Sequence, residues 1–367
     1  MEFVIQKKKL LDCLSHFQSV VERRNTIPIL SNIKVSALEG GLTVTATDLA
    51  IELTEHLVAD VSEAGGITIP SQLFFEIVRK APEKSEIRLK SEDKNSTVYV
   101  LFKDSKFSIP FLPVDDFPVM DEDKLDVEFQ IKSQHFKDLI NNCKFCMGLD
   151  ESRLYLNGIY LHSSGESVST VATDGHRLSK CSLPEPLKQS FEGIIIPKKT
   201  VLEISKILDE FQDDVSLSFS KTRIKVVLGN IKIVSKLVNA SFPDYESVVP
   251  KDNDQIMTVD CKSFSETIDR VSTISDEKFR TVKFDISKNT CVVSSFGNDK
   301  SLGTESVEVE FSGSEISINF NARYILDVLA IIKNGKVRFS FSNKTAPTIL
   351  ECDSLKNSLF LIMQMRA

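Results

Sequence analysis

The chain repeats itself. "GITIPSQLFFEIVRK" begins at Gly66, "GIIIPKKTVLEISKI" at Gly193 and "SINFNARYILDVLAII" at Ser317. Aligned, these segments stack Phe74 with Val201 and Ile325, then the acids Glu76, Glu203 and Asp327. Each copy reads as a short apolar strand entering a helix with apolar residues at helical spacing. Other landmarks keep the same period. "TVTATDLAIEL" around Asp48 returns as "STVATDGHRLS" around Asp174, and "DDFPVM" at Phe117 returns as "ASFPDY" at Phe242. A unit repeated at this length has to bury its apolar face within itself or against the next copy. The 367 residues therefore predict three tandem domains, bounded at 1–121, 122–250 and 251–367.

Each repeat reads as opening on an amphipathic helix. The stripes are Leu10, Leu11, Leu14, Phe17 and Val21; Phe136, Leu139, Ile140, Cys143 and Met147; and Phe264, Ile268, Val271 and Ile274. Between helices, runs such as "STVYVLF" and "TRIKVVL" alternate and predict antiparallel strands. The expected fold is α+β: three similar domains, each with two helices packed on antiparallel sheets.

The net charge of −7 is unevenly spread. Six predicted helical windows (7–24, 71–80, 132–144, 198–210, 262–278 and 323–336) together carry +7, which leaves −14 for the remainder. Basic helices on an acidic chain suit a polyanion held through its phosphates. The competing reading is solvated helix faces. Base readout is not expected, because no recognition-helix, zinc-finger or RNA-binding aromatic signature is present. Twelve such helices, from two chains closed head to tail, would ring a hole of roughly 24 Å, against a duplex about 20 Å wide.

Seven scattered cysteines do not build a disulfide framework and predict a reducing, cytoplasmic compartment. "CKFC" at Cys143 and Cys146 reads as two buried thiols. No run approaches the roughly 18 apolar residues of a membrane span. The N-terminal charges follow the first apolar residues, the reverse of a secretory signal. Neither a membrane partner nor a cofactor is expected.

"TVATDGHRLS" places Asp174, His176 and Arg177 within four residues, which opens the reading of a metal-dependent hydrolase using Asp174 and His176. Against it, Asp48 holds the same place in the first repeat without a histidine, so the aspartate reads as a turn residue. Histidines stand at 16, 56, 135, 162 and 176, with no HExxH spacing, P-loop, GxGxxG or GxSxG. The ending "LIMQMR" combines aliphatics with two adaptable methionines, suited to a peptide-binding surface or to a plain core strand. A peptide-binding scaffold that does not touch DNA is the other alternative.

The residues also carry a family resemblance over the whole chain. "RRNTIPILSNI" (23–33), "RLYLNGIYL" (153–161), "TVATDGHRLS" (170–179), "SKLVNASFPDYESVVP" (235–250), "SDEKFRTV" (275–282), "YILDVL" (324–329) and the ending "LIMQMR" closely resemble the bacterial DNA polymerase III beta subunits, the beta sliding clamps. That resemblance implies a ring-shaped, head-to-tail homodimer that encircles double-stranded DNA without sequence preference and tethers the replicative polymerase. It implies no catalytic activity, and a nucleoid-associated place in the cytoplasm. The implied partners are the replicative polymerase's catalytic subunit, the clamp loader, other polymerases, mismatch-repair proteins and ligase, all through short clamp-binding peptides.

Carried over by motif, one side of the peptide cleft is Leu156, Thr173, Gly175, His176, Arg177, Leu178, Pro243 and Val248. The other side is Tyr324, Thr345, Pro347, Leu361, Ile362, Met363, Met365 and Arg366. DNA contacts fall on Arg24, Arg153, Tyr155, Lys198 and Lys199, and ring closure on Phe107 and Ile109 against Thr273 and Ile274. The chain departs from the family pattern at Gln364, where proline is common, at Leu154, where an aromatic is usual, and at Thr273, where an aliphatic is usual.

Overall fold

A computed structural model of the protein describes residues 1–22, 26–92, 96–120, 124–184, 190–276, 280–297, 301–342 and 346–365. One element order recurs three times: a strand, a helix, a run of strands, a second helix, then three strands. The helices are α1 (Lys7–Phe17), α2 (Ser71–Lys80), α3 (Ser133–Asn141), α4 (Lys198–Leu208), α5 (Cys261–Ser272) and α6 (Ala322–Ile332). The fold is three tandem domains of two helices packed on antiparallel sheets.

Each repeat opens on a strand rather than on its helix. Glu2–Gln6, Val127–Ile131 and Gln255–Asp260 run straight into α1, α3 and α5. The opening "EFVIQ" is the strand that Asp60–Glu63 and Glu86–Glu92 flank. The helices also stop sooner than their stripes suggest. Val21 lies beyond α1, Ile274 lies beyond α5, and Cys143 and Met147 flank a 3-10 turn at Lys144–Cys146 after α3 ends. Cys143 and Met147 are buried, so the stripe continues because the same core continues, not because the helix does. With the observed ends, the net charge of the six helices falls to +5.

The strands follow the period-two rule. Thr97–Phe102 buries Val98, Val100 and Phe102, and Glu86–Glu92 buries Ile87 and Leu89, so one face of each goes to the core. Phenylalanines fill the third repeat's core. Phe264 meets Phe284 at 5.2 Å and Phe339 at 5.5 Å between ring centres, both edge-on. Two helices carry side-chain caps: Asp260 accepts from the Ser263 N–H at 2.9 Å, and Asn321 from the Arg323 N–H at 3.0 Å. Both "CKFC" thiols are buried, and burial pushes Cys143 up to about 12. Among the described residues no helix is long and apolar enough to cross a membrane.

The chain forms two compact units, and the middle repeat contributes to both. Met1–Lys137 with Lys199–Leu237 makes the first, which holds a five-stranded and an eight-stranded sheet. In its eight-stranded sheet, Ile51–Leu57 of the first repeat pairs with Ile231–Lys236 of the second. Asp138–Lys198 with Val238–Ala367 makes the other, which holds a nine-stranded and a four-stranded sheet. There Arg177–Ser182 of the second repeat pairs with Ser358–Ile362 of the third.

In the first unit, His16 on α1 is 8% exposed and its Nδ1 lies 2.9 Å from Glu55 Oε2, with Glu210 Oε2 3.7 Å from Nε2. Burial lowers the imidazole pKa, but the hydrogen bond and charge of Glu55, helped by Glu210 and opposed by Lys206, raise it overall. A raised folded-state pKa gives stability that is complete below the unfolded value and is lost as pH rises through the folded one. His16→Gln is therefore expected to cost roughly 2–4 kcal/mol at pH 5.5 and distinctly less at pH 9, read from urea unfolding. Equal losses at both pH values would contradict a charged His16–Glu55 pair.

Candidate functional site

"TVATDGHRLS" folds into a turn whose polar groups are consumed locally. Asp174 Oδ1 accepts from the backbone N–H groups of His176 at 2.9 Å and Arg177 at 3.0 Å. Thr173 Oγ1 donates to the Arg177 carbonyl at 2.7 Å and accepts from the Gly175 N–H at 3.1 Å. The first repeat builds the same turn. Asp48 Oδ1 accepts from Ala50 and Ile51, both at 2.8 Å, while Thr47 Oγ1 donates to the Ile51 carbonyl at 2.9 Å and accepts from Leu49 at 3.0 Å. The repeated aspartate is the turn residue its sequence context predicts. With its oxygens committed in this way, the hydrolase reading finds no support.

Arg177, at the end of the turn, is 9% exposed and bonds through all three of its guanidinium nitrogens. Its Nε donates to Asp174 Oδ2 at 2.9 Å, Nη1 to Asp327 Oδ2 at 2.5 Å and Nη2 to the Phe145 carbonyl at 2.8 Å. Burial depresses the guanidinium pKa, but Asp327 and Asp174 hold it above its usual value. The planar group lies 4.5 Å from the centre of the Tyr324 ring, which also stacks with His176 at 6.3 Å. Asp327, on α6, is the acid that recurs in the alignment of the repeats. That recurrence was the sequence signal for it, and pairing it with Arg177 needed the fold.

The residues assigned to the cleft separate into floor and rim. Leu178 and Leu361 are buried in one apolar cluster with Val171 and Tyr245, against which Tyr160, Phe242, Val249 and Leu359 pack. Leu156 is buried, and Ile362 belongs to the third repeat's core. Gly175, His176, Pro243 and Val248 are exposed, as is Met363 at 37%, while Thr173, Tyr324, Pro347 and Met365 are half-buried. The strand register sets Leu178 opposite Leu361, and the Met363 N–H then donates to the His176 carbonyl at 2.8 Å. The Met365 N–H donates to the Asn319 carbonyl at 2.8 Å. "LIMQMR" is thus core strand at its start and surface at its end. Thr345 and Arg366 lie outside the described residues.

Of the residues assigned to DNA, Arg24 lies outside the described residues. Arg153 is half-buried and its Nε donates to Asp150 Oδ2 at 3.0 Å. Tyr155 and Lys198 are half-buried, and Leu154 between Arg153 and Tyr155 is 59% exposed. Lys199 is committed internally: its Nζ donates to Asp48 Oδ2 at 2.5 Å and to the Val20 carbonyl at 3.1 Å. Of the residues assigned to ring closure, Phe107 is 39% exposed and stacks on Phe102 at 5.5 Å. Ile109 is 1% exposed and lies inside its own sheet's core. Thr273 is exposed and Ile274 half-buried.

Three family models account for the chain. The N-terminal, central and C-terminal domains of the DNA polymerase III beta subunit match residues 1–121, 130–244 and 246–366. The beta sliding clamp of Caulobacter vibrioides strain NA1000 is 37% identical over 355 residues, 95% of each chain. That of Escherichia coli K12 is 32% identical over 367 residues, 100% of each. Among solved structures, the Pseudomonas aeruginosa clamp bound to griselimycin superposes with a TM-score of 0.96 at 33% identity over 100% of both chains. The Caulobacter crescentus clamp does so with a TM-score of 0.93 at 35% identity, again over 100% of both.

Because the turn geometry depends on Asp174 and not on His176, the two substitutions should differ. Asp174→Ala is expected to cost roughly 1–3 kcal/mol in urea unfolding, and His176→Ala less than about 0.5 kcal/mol. The reverse order would contradict the assignment.

Proposed function

The chain belongs to the DNA polymerase III beta-subunit family and is a DNA sliding clamp; on that premise we propose how its residues divide the work. The three domains are taken as 1–121, 122–250 and 251–367. Two copies close head to tail into a ring around duplex DNA, and the protein serves the polymerase as a tether without catalysing a reaction. It works in the cytoplasm, on the nucleoid.

One observation carries the ring. Inside the chain, Ile51–Leu57 of the first repeat pairs with Ile231–Lys236 of the second, and Arg177–Ser182 of the second with Ser358–Ile362 of the third. The strands at the two equivalent positions still open are Leu302–Glu308, at the edge of the four-stranded sheet, and Ser105–Pro110, at the edge of the five-stranded sheet. A third junction of the same kind therefore needs a second copy. Exposed Glu308 lies on one edge and exposed Lys106 on the other, one opposite pair that can meet; Glu305 is already held by Arg270. Phe107, backed by Ile109, meets Thr273 and Ile274 of the other copy at this junction.

DNA is held through its phosphates by Arg24, Arg153, Tyr155, Lys198 and Lys199. Lys198 carries more of this than Arg153 and Lys199, whose charges are partly answered by Asp150 and Asp48. The cleft formed by the residues around Arg177 and Met363 receives short peptides of the polymerase catalytic subunit, the clamp loader, other polymerases, mismatch-repair proteins and ligase. The same surface takes griselimycin, with which the Pseudomonas aeruginosa relative was solved.

The decisive experiment compares retention on nicked circular DNA before and after linearisation. A ring is expected to stay on the circle and leave through the free ends; equal retention on both forms would refute encirclement. For the junction, Phe107→Asp is expected to convert the dimer to monomer in analytical ultracentrifugation, weakening association at least roughly 100-fold. A variant that remains dimeric at micromolar concentration would place the junction elsewhere.

A further inference from the structure

The cleft rim residues Pro243 and Val248 sit on a connecting segment, 240–250, whose own backbone hydrogen bonds are local. Val248 N–H donates to the Tyr245 carbonyl and Val249 N–H to the Glu246 carbonyl, both at 3.3 Å, and Ala240 N–H to the Val238 carbonyl at 3.0 Å. The equivalent segment of the first repeat is fixed differently, by a hydrogen bond from the Met120 N–H to buried Glu52 at 2.9 Å. Leu178 replaces Glu52 in the second repeat, so that anchor is gone and side chains have to supply the hold.

They do so as a ladder of rings. Phe242 lies parallel to Tyr160, with 4.7 Å between centres and 1° between planes. Tyr160 stacks on His162 at 4.9 Å, and His162 lies 5.7 Å from Tyr245. The Tyr245 hydroxyl and His162 Nε2 are 3.1 Å apart, and Lys180 Nζ stands 5.3 Å from the centre of the Tyr245 ring. Burial, then Lys180, holds the His162 pKa below its usual value against the opposing charge of Glu246, so the ring is neutral and able to stack at neutral pH. Gly193 makes room: a Cβ there would come within 2.2 Å of the Tyr160 ring. The strand register shifts beside it, between Leu161 and Ser163. A glycine covered by an aromatic ring is a known way of fixing strand geometry.

We infer that Tyr160 and His162 are positioning residues for partner recognition: the ladder over Gly193 holds segment 240–250 ready-made, and so sets where Pro243 and Val248 meet a bound peptide. The inference rests on the cleft reading above. A preformed wall avoids the ordering cost that binding would otherwise meet.

The test uses the full chain, griselimycin as probe in calorimetry, and amide hydrogen exchange over 241–250. Tyr160→Ser is expected to weaken binding roughly tenfold and to speed exchange in this segment while leaving strands 168–182 unchanged. Tyr160→Phe keeps the stacked ring and should restore both, which a general loss of stability would not. If Tyr160→Ser binds within about twofold of the parent and exchanges alike, the inference is wrong. Should Tyr160→Ser fail to fold, Tyr245→Phe, which keeps the ring and removes the hydroxyl's contacts to His162 and Glu246, gives the same two readouts. If the unsubstituted chain does not bind griselimycin, the cleft reading fails, and exchange in the variants still decides whether the ladder holds the segment.

Discussion

A β-strand at the edge of a sheet presents unmet N–H and C=O groups, and this protein is organised around where its edges go. Two matching positions in every repeat end its sheet on a strand whose outer side the repeat itself leaves unpaired: Ile51–Leu57, Arg177–Ser182 and Leu302–Glu308 at one, and Ser105–Pro110, Ile231–Lys236 and Ser358–Ile362 at the other. Four of the six are joined in pairs by backbone ladders, Ile51–Leu57 with Ile231–Lys236 and Arg177–Ser182 with Ser358–Ile362. An open, straight edge is an invitation to unwanted association. Pairing one kind of edge with the other between repeats covers those four strands and turns short sheets into continuous eight- and nine-stranded ones.

The ladders alone fix register; ion pairs next to them fix how a turn meets the following repeat's helix. At Asp48 the cation comes from that helix, as Lys199 on α4. At Asp174 it comes from the turn itself, as Arg177, and the helix supplies the acid, Asp327 on α6. The polarity of the contact is exchanged, and its helix residue moves one turn along, since Lys199 aligns with Arg323 and Asp327 with Glu203. Glu203, the counterpart of Asp327, has no arginine to meet and accepts from Ser19 at 2.8 Å instead. Burial accordingly raises its pKa against that hydrogen bond.

Much of this was legible in the sequence because it rests on periodicity. The repeat, the helix stripes, the strand alternation and the turn aspartates are all local patterns with a fixed spacing. What escaped was set by tertiary contact. A stripe does not say where the helix stops and a 3-10 turn takes over, so Val21, Cys143, Met147 and Ile274 continue the helical spacing beyond the helices themselves. "EFVIQ" is too short to announce itself as a strand until Asp60–Glu63 and Glu86–Glu92 lie on either side of it. Ile109 is the one buried residue of Ser105–Pro110, and the exposure of Phe107 two positions before it breaks the alternation that would have marked it as core. Tyr160 lies in the run "RLYLNGIYL" and His162 follows it, but nothing in the run announces a stack, which exists only once the connecting segment has folded over their strand.

The two aspartate turns also separate what a turn needs from what a surface needs. Leu49 and Gly175 occupy the same position, and both adopt the left-handed backbone, with φ of 74° and 90°. Glycine is the usual residue there, yet the first repeat closes an identical set of hydrogen bonds with leucine. The turn therefore does not demand glycine. What differs is the space outside it: a Cβ on Gly175 would come within 3.3 Å of Arg153 Nη1, whereas Leu49 has a side chain that is 39% exposed. Glycine in the second repeat keeps that flank low and leaves Arg153 its place against the turn. The same backbone carries a leucine beside Ala50 in the first repeat and a bare glycine beside His176 in the second, on the surface we propose for partner peptides.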